Sequence, residues 1–215
     1  MVPVIGIPVL NRFDLLTRAI NSIDFPVEKL VIIDNSGEHN DIPVNRHVKS
    51  LFVLRMPSNL GVATSWNLVI KSVPRAAGWI LLNSDAWYEP GALENFYSTC
   101  DENEIQLSGV PPWCNLWVGR KVVERIGLFS EAYHPAYMED IDYDYRAKAA
   151  GVTIMMSDAN ICHDNSATIS SDGRLREMNQ KSHRANVRLH DVRVMEGTLR
   201  EASWDIVRRC EYGFD

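Results

Sequence analysis

Asp85 is the first residue of this chain that could do chemistry, because its carboxylate directly follows the apolar run WILLNS. A strand of that composition should be buried, so we expect Asp85 where the strand opens into a cleft. A carboxylate in that position can bind a divalent cation, and the cation can neutralise a diphosphate. The alternative is a turn or capping aspartate ahead of a helix that starts at Pro90.

His163 is a second candidate, between the apolar pair Ile161-Cys162 and the polar run Asp164-Asn165-Ser166. A single histidine is more often structural than a metal ligand. His163 becomes a candidate ligand if the fold brings it next to Asp85, and the spacing of the two residues in the sequence does not decide this.

The adjacent acids Glu139 and Asp140 form a third candidate, within the run MEDIDYDYR. Asp140 is expected at the start of a helix, where the positive end of the helix dipole favours a carboxylate. Two carboxylates at a cleft can remove a proton from an attacking hydroxyl. Capping of the helix by Asp140 and Asp142 is an equally good interpretation.

These candidates depend on a sheet that the first half of the chain predicts. Short β-branched runs alternate with helical patterns, which is typical of a mostly parallel α/β sheet flanked by helices. The predicted strands are Val2–Pro8, Lys29–Asp34, Leu51–Arg55 and Trp79–Asn83. The predicted helices are one capped by Asn11, one over Gly61–Val73 and one from Pro90. Ligands bind at the carboxyl ends of such strands, where Pro8–Arg12, Asp34 and Asn83-Ser84-Asp85 lie.

The pattern changes in the second half. The predicted strands there are Gln106–Val110, Asn115–Val118 and Val152–Met156, and the predicted helices are Arg120–Ile126 and Asp140–Ala150.

We divide the chain into a domain over 1–170 and a helical extension over 171–215. Apolar or small residues spaced three and four positions apart predict one helix face, which consists of Leu175, Met178, Ser182, Ala185, Leu189 and Val192. A last short helix is predicted from Leu199, Ala202, Ile206 and Val207. This extension should pack on the body of the same chain, with a homodimer contact between two subunits as the alternative.

Composition is that of a globular domain. Apolar residues make up 46% and charged residues 23% of the 215 positions. No apolar run reaches the roughly 18 residues that a membrane span needs, and MVPVIGIPVLNR lacks the features of a signal peptide. The four cysteines form no C-x-x-C pair, so free thiols in a cytoplasmic protein are expected.

The net charge of −6 is unevenly distributed. The stretch 174–211 holds nine Lys/Arg and six Asp/Glu, so the rest of the chain is more acidic than the total. An acidic body argues against nonspecific nucleic-acid binding. The basic stretch is better explained as a solvated helix face than as a contact for a phosphate-bearing partner.

Two common nucleotide-binding motifs are absent from the sequence. No G-x-G-x-x-G follows the first strand, and there is no G-x-x-x-x-G-K-[ST]. A dinucleotide fold and a P-loop therefore lose support, and a nucleotide site built from carboxylates and amides remains.

Six segments in order resemble glycosyltransferase family 2, within the GT-A fold. Together they span about three quarters of the chain, and each alone is weak. They are VIGIPVLNR (4–12), LVIIDNSG (30–37), SNLGVATSWN (58–67), WILLNSDAWYEPGAL (79–93), GLFSEAYHPAYMEDIDYDYRAKAAG (127–151) and ICHDNSAT (161–168).

The resemblance implies a role for each matching residue. Those expected to border the nucleotide sugar are Pro8, Val9, Asn11, Asp34, Asn59, Gly61, Asn67, Asn83, Ser84 and Asp85. Asp85 and His163 would bind the metal, and Asp140 beside Glu139 would be the general base. Trp113 and Trp117 fall near the sugar and acceptor pocket, although core packing explains tryptophans about equally well.

The first acidic position of the family's metal motif holds Asn83 here. An amide oxygen is a weaker, neutral ligand, and rhamnosyltransferase-like branches of the family resemble this LNSD form. Mn²⁺ or Mg²⁺ would suit the oxygen ligands, with Mn²⁺ favoured by the imidazole.

The resemblance implies an inverting transfer of a sugar to an acceptor hydroxyl. The donor would be a UDP-sugar, with a TDP-sugar as the alternative. The acceptor classes left open are glycans, small molecules, proteins and modified nucleic acids. A non-catalytic sugar-nucleotide or glycan-binding module is the competing hypothesis, motivated by Asn83. A nucleotidyltransferase ranks lower, because the segment PVLNRFD is not a glycine-rich basic loop.

Overall fold

Nine strands form two sheets in the computed structural model, which describes residues 1–38, 41–164 and 173–200. In chain order they are β1 (Val2–Val9), β2 (Val27–Asp34), β3 (Val48–Arg55), β4 (Gly78–Leu82), β5 (Ala86–Tyr88), β6 (Ile105–Ser108), β7 (Asn115–Gly119), β8 (Ile154–Met156) and β9 (Ile161–His163). The large sheet has seven strands in the order β3-β2-β1-β4-β7-β6-β8, and β5 pairs with β9 in a small second sheet.

The large sheet is mostly parallel. Strand β1 pairs in parallel with β2 and β4, β2 with β3, and β6 with β8. Strand β7 is antiparallel to its neighbours β4 and β6. Parallel neighbours bring their carboxyl ends to one edge of the sheet, so the segments after β1, β2 and β4 meet there.

Helices cover both faces of the sheet. They are α1 (Phe13–Asn21), α2 (Gly61–Ser72), α3 (Ala92–Ser98), α4 (Arg120–Ile126), α5 (Glu139–Ala149) and α6 (Gly173–Glu196), with a 3-10 helix at Pro112–Cys114. One apolar cluster joins α1 and α3 to the sheet and includes Leu16, Phe96 and Ile7. The other joins α2, α4 and α5 to the opposite face. The predicted α/β sheet flanked by helices is therefore confirmed.

Local sequence patterns missed some short elements. Strands β5 and β9 have only three residues each, too few for an alternating pattern to stand out. The expected cap on α1 also differs, because the helix begins at Phe13 after Arg12, without a side-chain cap. The Asn11 Oδ1 atom instead accepts a hydrogen bond from the Arg12 backbone N–H at 3.0 Å.

Helix α6 packs through a face that overlaps the predicted one only in part. Of the predicted face, Leu175, Ser182 and Leu189 are half-buried, whereas Met178 and Val192 are 47% and 42% exposed. The buried side chains of the helix are polar: Asn179, Asn186 and His190. The centre of the packed face is therefore shifted toward these polar residues, because α6 contacts backbone carbonyls and aromatic rings. The predicted last helix around 202–207 lies outside the described residues.

No helix among the described residues is long and apolar enough to cross a membrane. Cys100, Cys114 and Cys162 are free thiols. Cys210 lies outside the described residues.

Candidate functional site

A cavity of about 250 Å³ opens at the carboxyl edge of the sheet. Its wall is formed by the segments that follow β1, β2 and β4, the start of α2, the turn before α5, and one side of α6. The 3-10 helix and β9 also contribute to the wall. The residues that line the cavity include Pro8, Val9, Asn35, Asn59, Gly61, Trp66, Asn83, Ser84, Asp85, Trp113, Cys114, Pro135, Ala136, Tyr137, Glu139, Asp140, His163, Leu175, Met178 and Asn179.

A larger groove of about 900 Å³ lies between α4, α5 and the end of α6. None of the predicted site residues lines it. The chemistry predicted from the sequence therefore belongs to the smaller cavity.

Asp85 and His163 meet at the base of this cavity. The pairing of β5 with β9 sets Ala86 opposite His163, and the Asp164 backbone N–H donates to the Asp85 carbonyl at 3.0 Å. The His163 Nε2 atom then lies 3.0 Å from the Asp85 Oδ1 atom. The two-stranded sheet is thus the element that brings carboxylate and imidazole together.

Burial by itself lowers the pKa of His163. The hydrogen bond with the Asp85 carboxylate and the proximity of Cys114 outweigh that effect and raise the pKa to about 10. The His163 Nδ1 atom is buried and has no hydrogen-bond partner among the described residues. A buried polar atom of this kind is consistent with a site that is completed by a ligand.

The pair also fits two of the ligands that a divalent cation needs. A carboxylate oxygen suits both Mn²⁺ and Mg²⁺. An imidazole nitrogen suits Mn²⁺, and because the pKa of His163 is raised, a cation bound to that nitrogen would displace a proton from the ring. Within residues 1–38, 41–164 and 173–200 no group of three or more His, Cys, Asp or Glu side chains could hold a metal ion. Any cation here would therefore need further oxygen ligands, of the kind that a diphosphate supplies.

The acidic pair lies in the wall of the same cavity, at the first turn of α5. Glu139 is 5% exposed, and its Oε2 atom has no hydrogen-bond partner within the described part of the chain. The Asp140 Oδ1 atom accepts a hydrogen bond from the Ile141 backbone N–H at 2.9 Å. Burial, and then the charge of Asp140, raises the pKa of Glu139 well above its usual range. Burial also raises the pKa of Asp140.

The turn before α5 has an unusual backbone. Tyr137 and Met138 have φ angles of 73° and 81°, in the left-handed region that disfavours side chains. The Pro135 carbonyl of this turn accepts a hydrogen bond from the Val62 backbone N–H at 2.8 Å. Residues held in this region persist only where surrounding contacts fix them, and such residues cluster at functional sites.

Gly61 permits the contact between this turn and α2. Its φ is +81°, and a Cβ atom added to it would lie 2.6 Å from the Pro135 carbonyl oxygen. The absence of a side chain at Gly61 thus permits close contact between two segments of the protein's own backbone.

Six of the residues predicted to border a nucleotide sugar line the cavity together with Asp85: Pro8, Val9, Asn59, Gly61, Asn83 and Ser84. Two others, Asn11 and Asp34, do not line it. Asp34 is fully buried, and its Oδ1 atom accepts hydrogen bonds from the Ser36 N–H and hydroxyl and from the Gly37 N–H. Its neighbour Asn35 lines the cavity in its place.

Asn67 is a structural residue rather than a wall of the cavity. Its side chain is fully buried and donates to the Phe129 carbonyl and to Glu131, while its Oδ1 atom accepts from the Phe129 N–H. The expectation that Asn67 borders the nucleotide is corrected, because its amide groups are used in joining α2 to the segment after α4.

The two tryptophans have different environments. Trp113 lines the cavity, whereas Trp117 is 2% exposed within the hydrophobic core. The indole N–H of Trp117 donates to the Asp101 carbonyl at 2.7 Å, and its ring packs edge-on against Tyr97. The expectation of Trp117 in an acceptor pocket is corrected, since the alternation along β7 directs its side chain into the core.

Sequence reasoning missed several wall residues. Trp66 is 2% exposed, and its indole N–H has no partner among the described residues. Tyr137 and the α6 residue Asn179 also line the cavity. Trp66 lies within the run SNLGVATSWN, so its position in that motif was the available signal. The sequence contains no comparable signal for Asn179, because only packing decides which face of α6 is buried.

Comparison with solved structures identifies proteins of the same fold. S. aureus TarS 1–349 in complex with UDP-GlcNAc matches with a TM-score of 0.58 and 16% identity, over 80% of this chain and 61% of that one. A longer S. aureus TarS structure matches with a TM-score of 0.58 and 17% identity, over 77% of this chain and 37% of that one. GalNAc-T7 with UDP, GalNAc and Mn²⁺ matches with a TM-score of 0.59 and 8% identity, over 76% of this chain and 44% of that one.

The chain thus spans between 37% and 61% of the lengths of these three solved chains. Curated protein sequences give no significant match. The profile of Glycosyl transferase family 2 matches residues 4–154, which is most of the chain. Because this match covers more than half of the chain, the chain belongs to glycosyl transferase family 2.

Proposed function

We propose that this protein transfers a sugar from a nucleotide-diphosphate sugar to an acceptor hydroxyl. One observation carries the proposal: a single cavity in a member of this family joins the Asp85–His163 pair to the Glu139–Asp140 pair. The first pair suits a charged diphosphate with its cation, and the second suits removal of a proton.

A UDP-sugar is the favoured donor. The solved structures of S. aureus TarS 1–349, which has the same fold, include complexes with UDP and with UDP-GlcNAc, which supports uracil as the base. The LNSD form around Asn83 also resembles rhamnosyltransferase-like branches of the family, so TDP-sugars are the second donor class.

Asp85 and His163 are the residues that would hold Mn²⁺ or Mg²⁺. When bound, the cation supplies positive charge that stabilises the diphosphate as it leaves. The structure of GalNAc-T7, which has the same fold, was solved with Mn²⁺ and supports a divalent ion here. Asn83 lines the same part of the cavity and offers a neutral amide oxygen.

Asp140 is the proposed general base. Its carboxylate accepts the proton of the acceptor hydroxyl, and the acceptor oxygen forms a bond to the anomeric carbon. The bond from that carbon to the nucleotide diphosphate breaks, and the anomeric configuration inverts. Burial raises the pKa of Asp140, which makes its carboxylate a stronger base than an exposed aspartate. Glu139 sits beside it, and its buried carboxyl is available to an acceptor or sugar hydroxyl.

A non-catalytic nucleotide-sugar or glycan-binding module is the second candidate. Asn83 favours it, since the neutral amide replaces the first carboxylate of the family's metal motif. The paired acids at the start of α5 weigh against it, because a module that only binds would have no need of a buried base.

The first test is a calorimetry and thermal-shift screen of UDP-, TDP- and GDP-sugars, with and without Mn²⁺. We expect one nucleotide class to bind wild type in a Mn²⁺-dependent way, and we expect Asp85→Ala to lose that binding. Asp41→Ala is the matched control, because Asp41 is exposed and does not line the cavity. Absence of binding by every nucleotide sugar in both metal states would overturn the proposal. Binding without turnover across a broad acceptor panel would favour the binding module.

A further inference from the structure

Asn186 connects α6 to the turn that precedes the acidic pair. Its side chain is 5% exposed, although it lies on a helix whose residues are mostly exposed. Its Nδ2 group donates to the Ala136 carbonyl at 3.0 Å and to the Tyr137 carbonyl at 3.2 Å. One amide group thus satisfies two consecutive backbone acceptors.

These two carbonyls belong to the part of the chain with the unusual backbone. Tyr137 and Met138 have φ angles of 73° and 81°, and Glu139 and Asp140 follow directly. A left-handed conformation is unfavourable for residues with a side chain, so two in succession need external contacts to hold them. The hydrogen bonds from Asn186 are contacts of that kind.

Other contacts from α6 hold the same region. The Tyr137 ring packs against the His183 ring with centroids 5.2 Å apart. The Arg193 guanidinium donates to the Ser130 hydroxyl at 3.0 Å and lies over the Tyr133 ring at 5.5 Å. The helix therefore supports the segment from Ser130 to Met138 along its length, and Asn186 is its most buried contact with the turn.

On the other side, the turn rests on the start of α2. The Pro135 carbonyl accepts from the Val62 N–H, and the His134 Nε2 atom lies 3.1 Å from the Asn59 carbonyl. The turn is thus held between α2 and α6. The direction in which α5 presents its first two side chains to the cavity depends on both supports.

We propose that Asn186 is a positioning residue that fixes the Ala136–Met138 turn and so sets where Glu139 and Asp140 enter the cavity. By this inference α6 belongs to the active site, because it holds the base in place as well as lining the cavity. The catalytic part of the inference rests on the proposed function, and the structural part does not.

The test compares Asn186→Ala and Asn186→Asp with Gln180→Ala in the full chain. Gln180 carries an amide on an exposed face of the same helix and serves as the control. Asn186→Asp keeps the shape of the side chain, removes the two donated hydrogen bonds and directs a carboxylate at two carbonyl oxygens. Hydrogen–deuterium exchange reports on peptides covering 133–142 and, as an internal reference, on β1.

We expect both Asn186 variants to exchange about tenfold faster over 133–142 while β1 is unchanged, because the turn opens locally. We expect kcat to fall about tenfold or more while the KM for the nucleotide sugar changes little, because misplacement of a catalytic group affects the chemical step. Gln180→Ala should match wild type in both measurements.

Unchanged exchange over 133–142 in both variants would overturn the inference. An equal rise in β1 would also overturn it, because the role of Asn186 would then be global stability. If wild type itself transfers no sugar, the proposed function fails, while the exchange data still decide whether Asn186 holds the turn.

Discussion

The imidazole of His163 lies 3.0 Å from the carboxylate of Asp85, although the two residues are 78 positions apart in the chain. The contact exists because β5 and β9 pair next to the cavity. Both side chains are almost fully buried, with 4% of the His163 side chain and 8% of the Asp85 side chain exposed. The two residues should therefore act as one unit toward a bound cation.

A double-mutant cycle tests that unit. We expect Asp85→Ala and His163→Ala each to weaken Mn²⁺-dependent UDP binding at least tenfold, about 1.4 kcal/mol. The double variant should lose less binding free energy than the sum of the two single losses, because the first substitution has already disrupted the shared cation site. Calorimetric titration of UDP with and without Mn²⁺ measures these losses. Strictly additive losses would show that the two side chains do not share a ligand.

Asp140→Asn tests the general base. We expect kcat to fall by about 10²–10⁴-fold, because an amide cannot accept the proton, while donor affinity stays within about twofold. Steady-state kinetics and calorimetry separate the two effects, with Asp41→Asn as the control. Because burial raises the pKa of Asp140 above its ordinary value of 3.8, wild-type kcat/KM should decline on acidification at a correspondingly higher pH. Full turnover by Asp140→Asn would remove this assignment.

Glu139→Gln tests the effect of a buried acid on stability. Burial raises the pKa of Glu139 above its ordinary value of 4.5, so the folded protein holds this proton more tightly than the unfolded chain does. The resulting stabilisation is fully present below that value and is lost as pH rises through the folded-state pKa. The melting temperature of wild type should therefore fall relative to that of Glu139→Gln between about pH 4.5 and 8. Parallel melting curves across this range would contradict the prediction.

Gly61→Ala tests the contact between α2 and the turn, with Gly91→Ala as its control. Both glycines have a positive φ, of +81° and +78°, but a Cβ atom at Gly91 would meet nothing within 4 Å. We expect Gly91→Ala to cost about 1–2 kcal/mol for the backbone conformation alone. Gly61→Ala should cost at least about 1 kcal/mol more, because the Pro135 carbonyl must move. Urea unfolding measures both, and equal losses would argue against the close approach.

Trp117→Ala should mainly reduce stability, whereas Trp113→Ala should mainly weaken substrate binding. Truncation of Trp117 leaves a hole in the core and should cost about 3–5 kcal/mol of unfolding free energy. Trp113 lies at the cavity, so its truncation should cost less than about 1.5 kcal/mol and should raise the KM of a sugar substrate. Chemical denaturation together with kinetics distinguishes the two. A large stability loss in Trp113→Ala alone would reverse the assignments.

Much of the fold could be predicted because the patterns that define it are local. Short apolar runs such as KLVIID and WILLN favour strands, and polar residues at the carboxyl ends of parallel strands meet at one edge of the sheet. Asn83 and Asp85 were found in this way, and both line the cavity. Asp140 was found from its place at the start of a helix and Pro8 from the family resemblance, and both also line the cavity.

The remaining site residues depended on packing between distant segments. Asn67 lies in a segment that resembles the family and Trp117 was expected near the sugar pocket, yet both side chains are buried in the core. The burial of Asn179 and Asn186 shifts the packed face of α6 away from the centre of the predicted apolar face, because that helix packs on carbonyls and aromatic rings. A pattern of hydrophobic residues has no information about such a polar partner.

By itself the sequence determined the α/β sheet, the edge that holds the site and the carboxylates offered there. These follow from hydrophobic periodicity and strand direction, which a short segment carries alone. Only the tertiary structure decided that Asp85 meets His163, that α6 forms a wall of the cavity and that Asn186 holds the turn before Glu139. Each of these is a contact between segments far apart in the chain, and its formation depends on the packing of the whole domain.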